Sequence, residues 1–87
     1  MHVPTYEIYL PPSVRFDPDL SAAAKVFYGE VQACCGDLPY GPLDTDYFAA
    51  LYRVSPKTIT HWVAQLEEAG YLHQRYNEAG ELCLHLH

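Results

Sequence analysis

The chain has 87 residues, enough for one small domain and too few for a second core. At 49% hydrophobic and 14% aromatic, with eight tyrosines, it is too apolar to remain disordered. Five Lys+Arg against eleven Asp+Glu give a net charge of −6, which excludes binding to nucleic acid by bulk charge, so any such function must come from local charge placement.

No apolar run approaches the roughly 20 residues that cross a bilayer, so no membrane partner is expected. Met1-His2-Val3-Pro4 has no charged segment followed by an apolar one, so a cytoplasmic location is expected. Three cysteines, two of them adjacent (Cys34, Cys35 and Cys83), make a poor disulfide framework and fit a reducing compartment.

Thr5 to Leu10 is short, β-branched and aromatic and stops at Pro11-Pro12, which predicts an N-terminal strand or arm over residues 1–12. Ser13 to Asp19 reads as turn, between Pro12 and Pro18. A first helix follows, capped by Ser21 or Asp19 and built on Ala22-Ala23-Ala24. Ala24, Phe27, Tyr28, Val31 and Cys34/Cys35 recur at helical spacing and define its apolar face. Gly36 ends it, and Gly36–Asp44 reads as loop because it holds two prolines and two glycines.

Asp44 or Thr45 caps a second helix to about Tyr52, with Phe48 and Leu51 facing the core. After Arg53-Val54, Ser55 is an N-cap and Pro56 sits at the first helical position, where its missing N–H costs nothing. The third helix, 56–69, places Ile59, Trp62, Val63 and Leu66 on one face, and Gly70 closes it. Tyr71–Tyr76 and Glu81–His87 alternate around the turn Asn77-Glu78-Ala79-Gly80, which predicts a terminal hairpin. The expected fold is therefore α+β: a winged helix-turn-helix with a short N-terminal strand, a three-helix core over 20–70 and a hairpin wing over 71–87. A chain ending at His87 inside a strand is read as a piece of something longer.

The segment Tyr47 to Leu72, with Leu51-Tyr-Arg-Val-Ser-Pro-Lys-Thr-Ile-Thr-His-Trp-Val at its centre, resembles the helix-turn-helix core of many winged-helix proteins. Upstream, Leu20-Ser21-Ala-Ala-Ala-Lys25-Val-Phe-Tyr28 follows an extended Pro12-Ser13-Val14-Arg15-Phe16-Asp17. That pairing resembles the N-terminal domains of plasmid and phage replication initiators and of the related replisome-organiser and primosome proteins. The similarity spans most of residues 6 to 84. It implies a DNA-binding domain in replication initiation, with double-stranded DNA and other replication proteins as partners. Relatives often carry Arg or Lys where this chain has Thr60 and His61.

In such a domain the start of the third helix enters the major groove while nearby cations hold phosphates. The candidate DNA-binding residues are Arg53, Ser55, Pro56, Lys57, Thr58, Thr60, His61 and Gln65, with Arg75 near the tip of the wing. The competing reading is the solvated polar face that any amphipathic helix presents. One feature favours contact. Tyr47 to Leu66 holds no Asp or Glu, where the average acid content would put two or three, and Arg53 and Lys57 lie inside that gap. In the wing, Asn77 and Gly80 would help Arg75, whereas Glu78 and Glu81 oppose it.

Cys83, His85 and His87 alternate on one strand face, with His73 across the hairpin; this reads as an exposed polar face behind Leu82, Leu84 and Leu86, and no second ligand pair lies at zinc-site spacing, so no metal or other cofactor is expected. Tyrosines are spread through every element, which fits core packing better than a base-stacking platform. No nucleophile elbow, phosphate loop or metalloprotease motif occurs, so no enzyme activity is expected. A homodimer through the N-terminal strand edge is expected. The alternatives are a protein-interaction winged helix, whose acidic body meets a basic partner, and a transcriptional regulator of the same fold.

Overall fold

The computed structural model of the chain describes residues 7–35 and 41–87; residues 1–6 and 36–40, and the side chains of Cys34 and Cys35, lie outside that description. The order of elements is α1 (Pro12–Arg15), α2 (Ala22–Cys35), β1 (Gly41–Pro42), α3 (Thr45–Tyr52), α4 (Pro56–Glu68), β2 (Leu72–Tyr76) and β3 (Leu82–Leu86). The described residues thus form a small α+β fold of four helices and an antiparallel hairpin whose second strand, β3, also pairs with β1 and so lies at the centre of the sheet.

The three longer helices start where their caps predict. The Ser21 hydroxyl accepts the Ala24 N–H at 3.2 Å, the Asp44 carboxylate accepts the Tyr47 N–H at 3.0 Å, and the Ser55 hydroxyl accepts the Thr58 N–H at 3.2 Å. Each bond satisfies a backbone donor that has no partner within its own helix. Of the two cap candidates for α2 it is Ser21 that makes the bond, while the Asp19 N–H donates to the Asp17 carboxylate at 2.8 Å. Gly70 sits at φ 88° after α4, in the left-handed region that glycine enters at no steric cost.

The core lies where α2, α3 and α4 meet. Phe27 is fully buried, and its ring meets Phe48 at 5.5 Å, Trp62 at 5.7 Å and Tyr52 at 6.5 Å between centroids. These tilted and edge-on contacts match the aromatic quadrupoles and fill space that aliphatic side chains would leave uneven. Ile59, Val63 and Leu66 close the core from α4, and Leu72 and Leu84 close it from the sheet. One acidic side chain is taken inside: Glu30, 9% exposed, accepts the Tyr52 hydroxyl at 2.9 Å and so ties α2 to α3.

The hairpin register pairs Leu72 with Leu86, Gln74 with Leu84 and Tyr76 with Leu82 on the core face. His73 with His85 and Arg75 with Cys83 occupy the opposite face. Leu82, Leu84 and Leu86 therefore face the core, in line with their alternation.

Four expectations need correction. Glu7–Leu10 forms no strand, and the rest of that segment lies outside the described residues. Ile8 and Leu10 instead lie against α2 at Gly29, where an added Cβ would come within 2.9 Å of Leu10 and 3.1 Å of Ile8. The strand edge invoked for a homodimer is therefore missing from the described part of the arm. Pro12 does not end order but starts a short helix, because its fixed φ suits a first helical position. Gly41–Pro42, expected as loop, pairs with Leu84 and Cys83 as the edge strand β1, a place where proline's missing N–H does no harm. Cys83, expected on an exposed polar face, is 3% exposed under that pairing.

Replacing Tyr52 by Phe should remove the hydroxyl bound to Glu30 and lower unfolding stability by about 1–3 kcal/mol, the cost of stripping a partner from a buried polar group. Guanidinium unfolding of the wild type and the variant checks this, and an unchanged midpoint would remove Glu30–Tyr52 from the interactions that hold α2 on α3.

Candidate nucleic-acid interface

Helix α3 ends in a backbone arrangement that a sequence pattern does not announce. Arg53 stands at φ 57°, ψ 47°, the one described non-glycine residue with positive φ. The Val54 N–H reaches the Ala49 carbonyl at 2.9 Å and the Arg53 N–H reaches Ala50 at 3.3 Å, which is the Schellman pattern of a helix end. Glycine is the usual occupant of that position. A side chain there costs on the order of 1 kcal/mol or more. Two residues later Ser55 opens α4, so Arg53 and Lys57 stand on either side of the turn that aims the helix.

The sequence-predicted residues divide into groups once placed. Lys57, Thr60 and His61 are exposed and share one stripe of α4 at three- and four-residue spacing. Arg53, Ser55 and Pro56 are exposed at the turn that precedes them. Thr58 is half-buried, and its hydroxyl and that of Ser55 are 3.0 Å apart, so these two largely satisfy one another. The Thr60 hydroxyl donates to the Lys57 carbonyl at 2.8 Å, leaving its lone pairs as acceptors.

Two residues are directed elsewhere. Gln65 is half-buried and turned toward α2, where its Oε1 accepts the Ser21 N–H at 3.3 Å and the Ser21 hydroxyl at 3.2 Å. Its Nε2 lies 3.1 Å from His61 Nε2. Arg75 is exposed, but it follows Gln74, whose side chain touches α4 through Glu67, so alternation turns Arg75 to the face of the hairpin away from α4. Helix α4 and the hairpin thus do not place their cations on one surface. Of the residues expected to help Arg75 in the hairpin, Asn77 is committed to its own turn. Its Oδ1 accepts the Glu81 N–H at 2.9 Å and its Nδ2 donates to the Glu81 carboxylate at 3.1 Å. Gly80 adopts φ 80°, as the turn demands.

Charge is graded along α4. Its first turn carries no acid, so the partial positive charge of the helix start is not offset from within the helix. Its far end carries Glu67 and Glu68, and Asp17, Asp19, Gln65, Glu68 and Ala69 line a shallow hollow there. Acids at a helix C-terminus oppose the dipole and are retained here by specific bonds. Glu67 receives the Gln74 side-chain amide at 2.9 Å and the Gln74 N–H at 2.9 Å, and these two bonds hold its carboxyl below the ordinary value. Asp17 is held low first by the Asp19 N–H and then by the Tyr71 hydroxyl, which donates at 2.8 Å. Tyr71 is correspondingly pushed up. These bonds fix the hairpin root against both α4 and the α1 segment.

His73, His85 and His87 gather on the outer sheet face as their alternation implies, with ring centroids 5.7 Å (His73 to His87) and 5.6 Å (His85 to His87) apart. Cys83 does not join them, since its Sγ donates to the Glu81 carbonyl at 3.6 Å and is buried. Among the described residues no group of three His, Cys, Asp or Glu is placed to hold a metal ion, and no helix is long and apolar enough to cross a membrane. No protein-family model, curated protein or solved structure matches the chain.

Because Asp17 and Glu67 have lower pKa values folded than unfolded, the stability they contribute is complete above their unfolded values, near pH 4 to 4.5. It should drain away as pH falls through the lower folded values. The guanidinium midpoint should accordingly fall on acidification below about pH 4.5, and Gln74→Leu should flatten part of that slope. Parallel slopes in the two proteins would show that the Gln74 side chain does not hold Glu67.

Proposed function

We propose that the chain is a winged-helix domain that binds double-stranded DNA with the start of α4 as its reading helix. In this reading it works in the cytoplasm, as the DNA-binding or assembly domain of a plasmid or phage replication initiator or primosome protein, and it is not an enzyme. The order of α2, a strand, two helices joined by a short turn, and a hairpin paired to that strand supports the fold assignment. The resemblance of residues 20–28 and 47–72 supports the replication assignment.

The observation that carries the DNA reading is Arg53. A cation occupies a left-handed position that glycine would fill with less strain, and it does so beside the unopposed start of α4. Strain retained at a surface turn fits a functional demand better than a folding one. Lys57 and Arg53 would hold phosphates with His61 beside Lys57 toward the backbone, Thr60 would face base edges, and Ser55 and Thr58 would shape the helix start. Gln65 and Arg75 drop out of the contact set on this geometry. With so few cations, the salt dependence should correspond to about two to four neutralised phosphates, so a second copy would be needed for firm binding.

A protein-interaction role is the second reading, favoured by the acidic hairpin end, where Glu81 lines a hollow with Asp44 and Glu78 is exposed. It would use that face and leave α4 free.

The test is fluorescence anisotropy on a random 25-base-pair duplex at low and physiological salt. Wild type should bind, with a logarithmic salt slope of about −2 to −4. Lys57→Glu should lose most of the binding. Arg53→Gly is the sharper variant. It should unfold at the same or a higher denaturant concentration than wild type, yet bind DNA several-fold more weakly. No binding by wild type even at low salt would favour the protein-interaction reading.

A further inference from the structure

The His61–Gln65–Ser21 chain has one consistent hydrogen-bonding pattern. The Ser21 backbone N–H can only donate, so the Gln65 atom 3.3 Å away must be the carbonyl oxygen. The Gln65 amide nitrogen is then the atom that faces His61, 3.1 Å from its Nε2. An amide nitrogen donates and does not accept, so His61 Nε2 must carry no proton. The ring is therefore neutral, with its hydrogen on Nδ1.

We infer that His61 is a proton-operated latch on the α4 surface: neutral, it is tied through Gln65 to the start of α2; protonated, it is released to join Lys57 and Arg53 as a third cation facing DNA phosphate. The regulation concerns the same surface and rests on the DNA reading above. When His61 Nε2 takes a proton from solvent, two donors face each other and the bond to Gln65 is lost. Gln65 stays where it is, held by two bonds to Ser21, so the imidazole is the group that moves. His61 is exposed, and its stripe-mates toward the helix start are Lys57 and Thr60. The charged groups nearby are Lys57 one turn earlier and Glu68 two turns later on α4, Asp17 and Asp19 across the hollow that Gln65 lines, and Lys25 on α2, which acts on Asp17. A bound phosphate would favour the protonated ring, so proton uptake and DNA binding would reinforce each other.

Two measurements on the whole chain test this. The first reads the ring nitrogens of His61 by NMR at pH 7.5 without DNA. The Nδ1–H tautomer is expected in wild type, shifting toward Nε2–H in Gln65→Ala. An Nε2–H ring in the wild type overturns the latch whatever DNA does. The second repeats the anisotropy at pH 7.5 and 6.0 at fixed ionic strength. Affinity should rise about two- to fivefold in wild type, the scale of one exposed ion pair. It should not rise in His61→Gln, which keeps every other histidine. Binding that is equal at both pH values overturns the latch and leaves the DNA reading standing. Binding at neither pH overturns the DNA reading and the gating with it.

Discussion

The packing of Phe27 against α3 and α4 is the contact on which the rest of the molecule depends. In a domain this small each buried aromatic ring is a large part of the core, and Phe27 alone meets Phe48, Tyr52 and Trp62. Those rings come from both helices that flank the Arg53 turn. The angle between α3 and α4, and hence what the start of α4 presents, is set by that cluster and not by the turn residues alone. The sheet enters as a support. Leu72 and Leu84 press on the same core, and the Glu67–Gln74 and Tyr71–Asp17 bonds keep the hairpin from rocking against it.

Much of this was legible in the residues themselves. Ser55-Pro56, Asp44 and Gly70 mark helix ends by mechanisms that act within a few residues, and the structure uses each of them as expected. Alternation in Leu82-Cys83-Leu84-His85-Leu86 also gave the hairpin faces correctly, because a strand's period is fixed by its backbone. What escaped was decided at long range. The pairing of Gly41–Pro42 with β3, the burial of Cys83 beneath it and the seat of Ile8 and Leu10 on Gly29 all depend on which elements meet.

The candidate surface shows the same division. Lys57, Thr60 and His61 follow from helical spacing, and they are found together. Gln65 shares their polar character but bonds to Ser21, 44 residues away, which no local pattern could reveal. Arg75 lies near the tip of the hairpin, and its side of the sheet is decided by Gln74 reaching Glu67. Arg53 was read as a cation in a turn. Its left-handed backbone, the feature that makes it unusual, is invisible to composition.

The gradient of charge along α4 has a consequence for approach as well as for contact. A body of net charge −6 is repelled by a polyanion at long range, while the Arg53–Lys57 end is drawn to it at short range. Salt screens the distant repulsion before it screens the close attraction. Encounter with a polyanion would therefore quicken as salt is first added and slow only later. The molecule would also turn its cationic end forward before touching, much as a compass needle aligns before it meets the magnet.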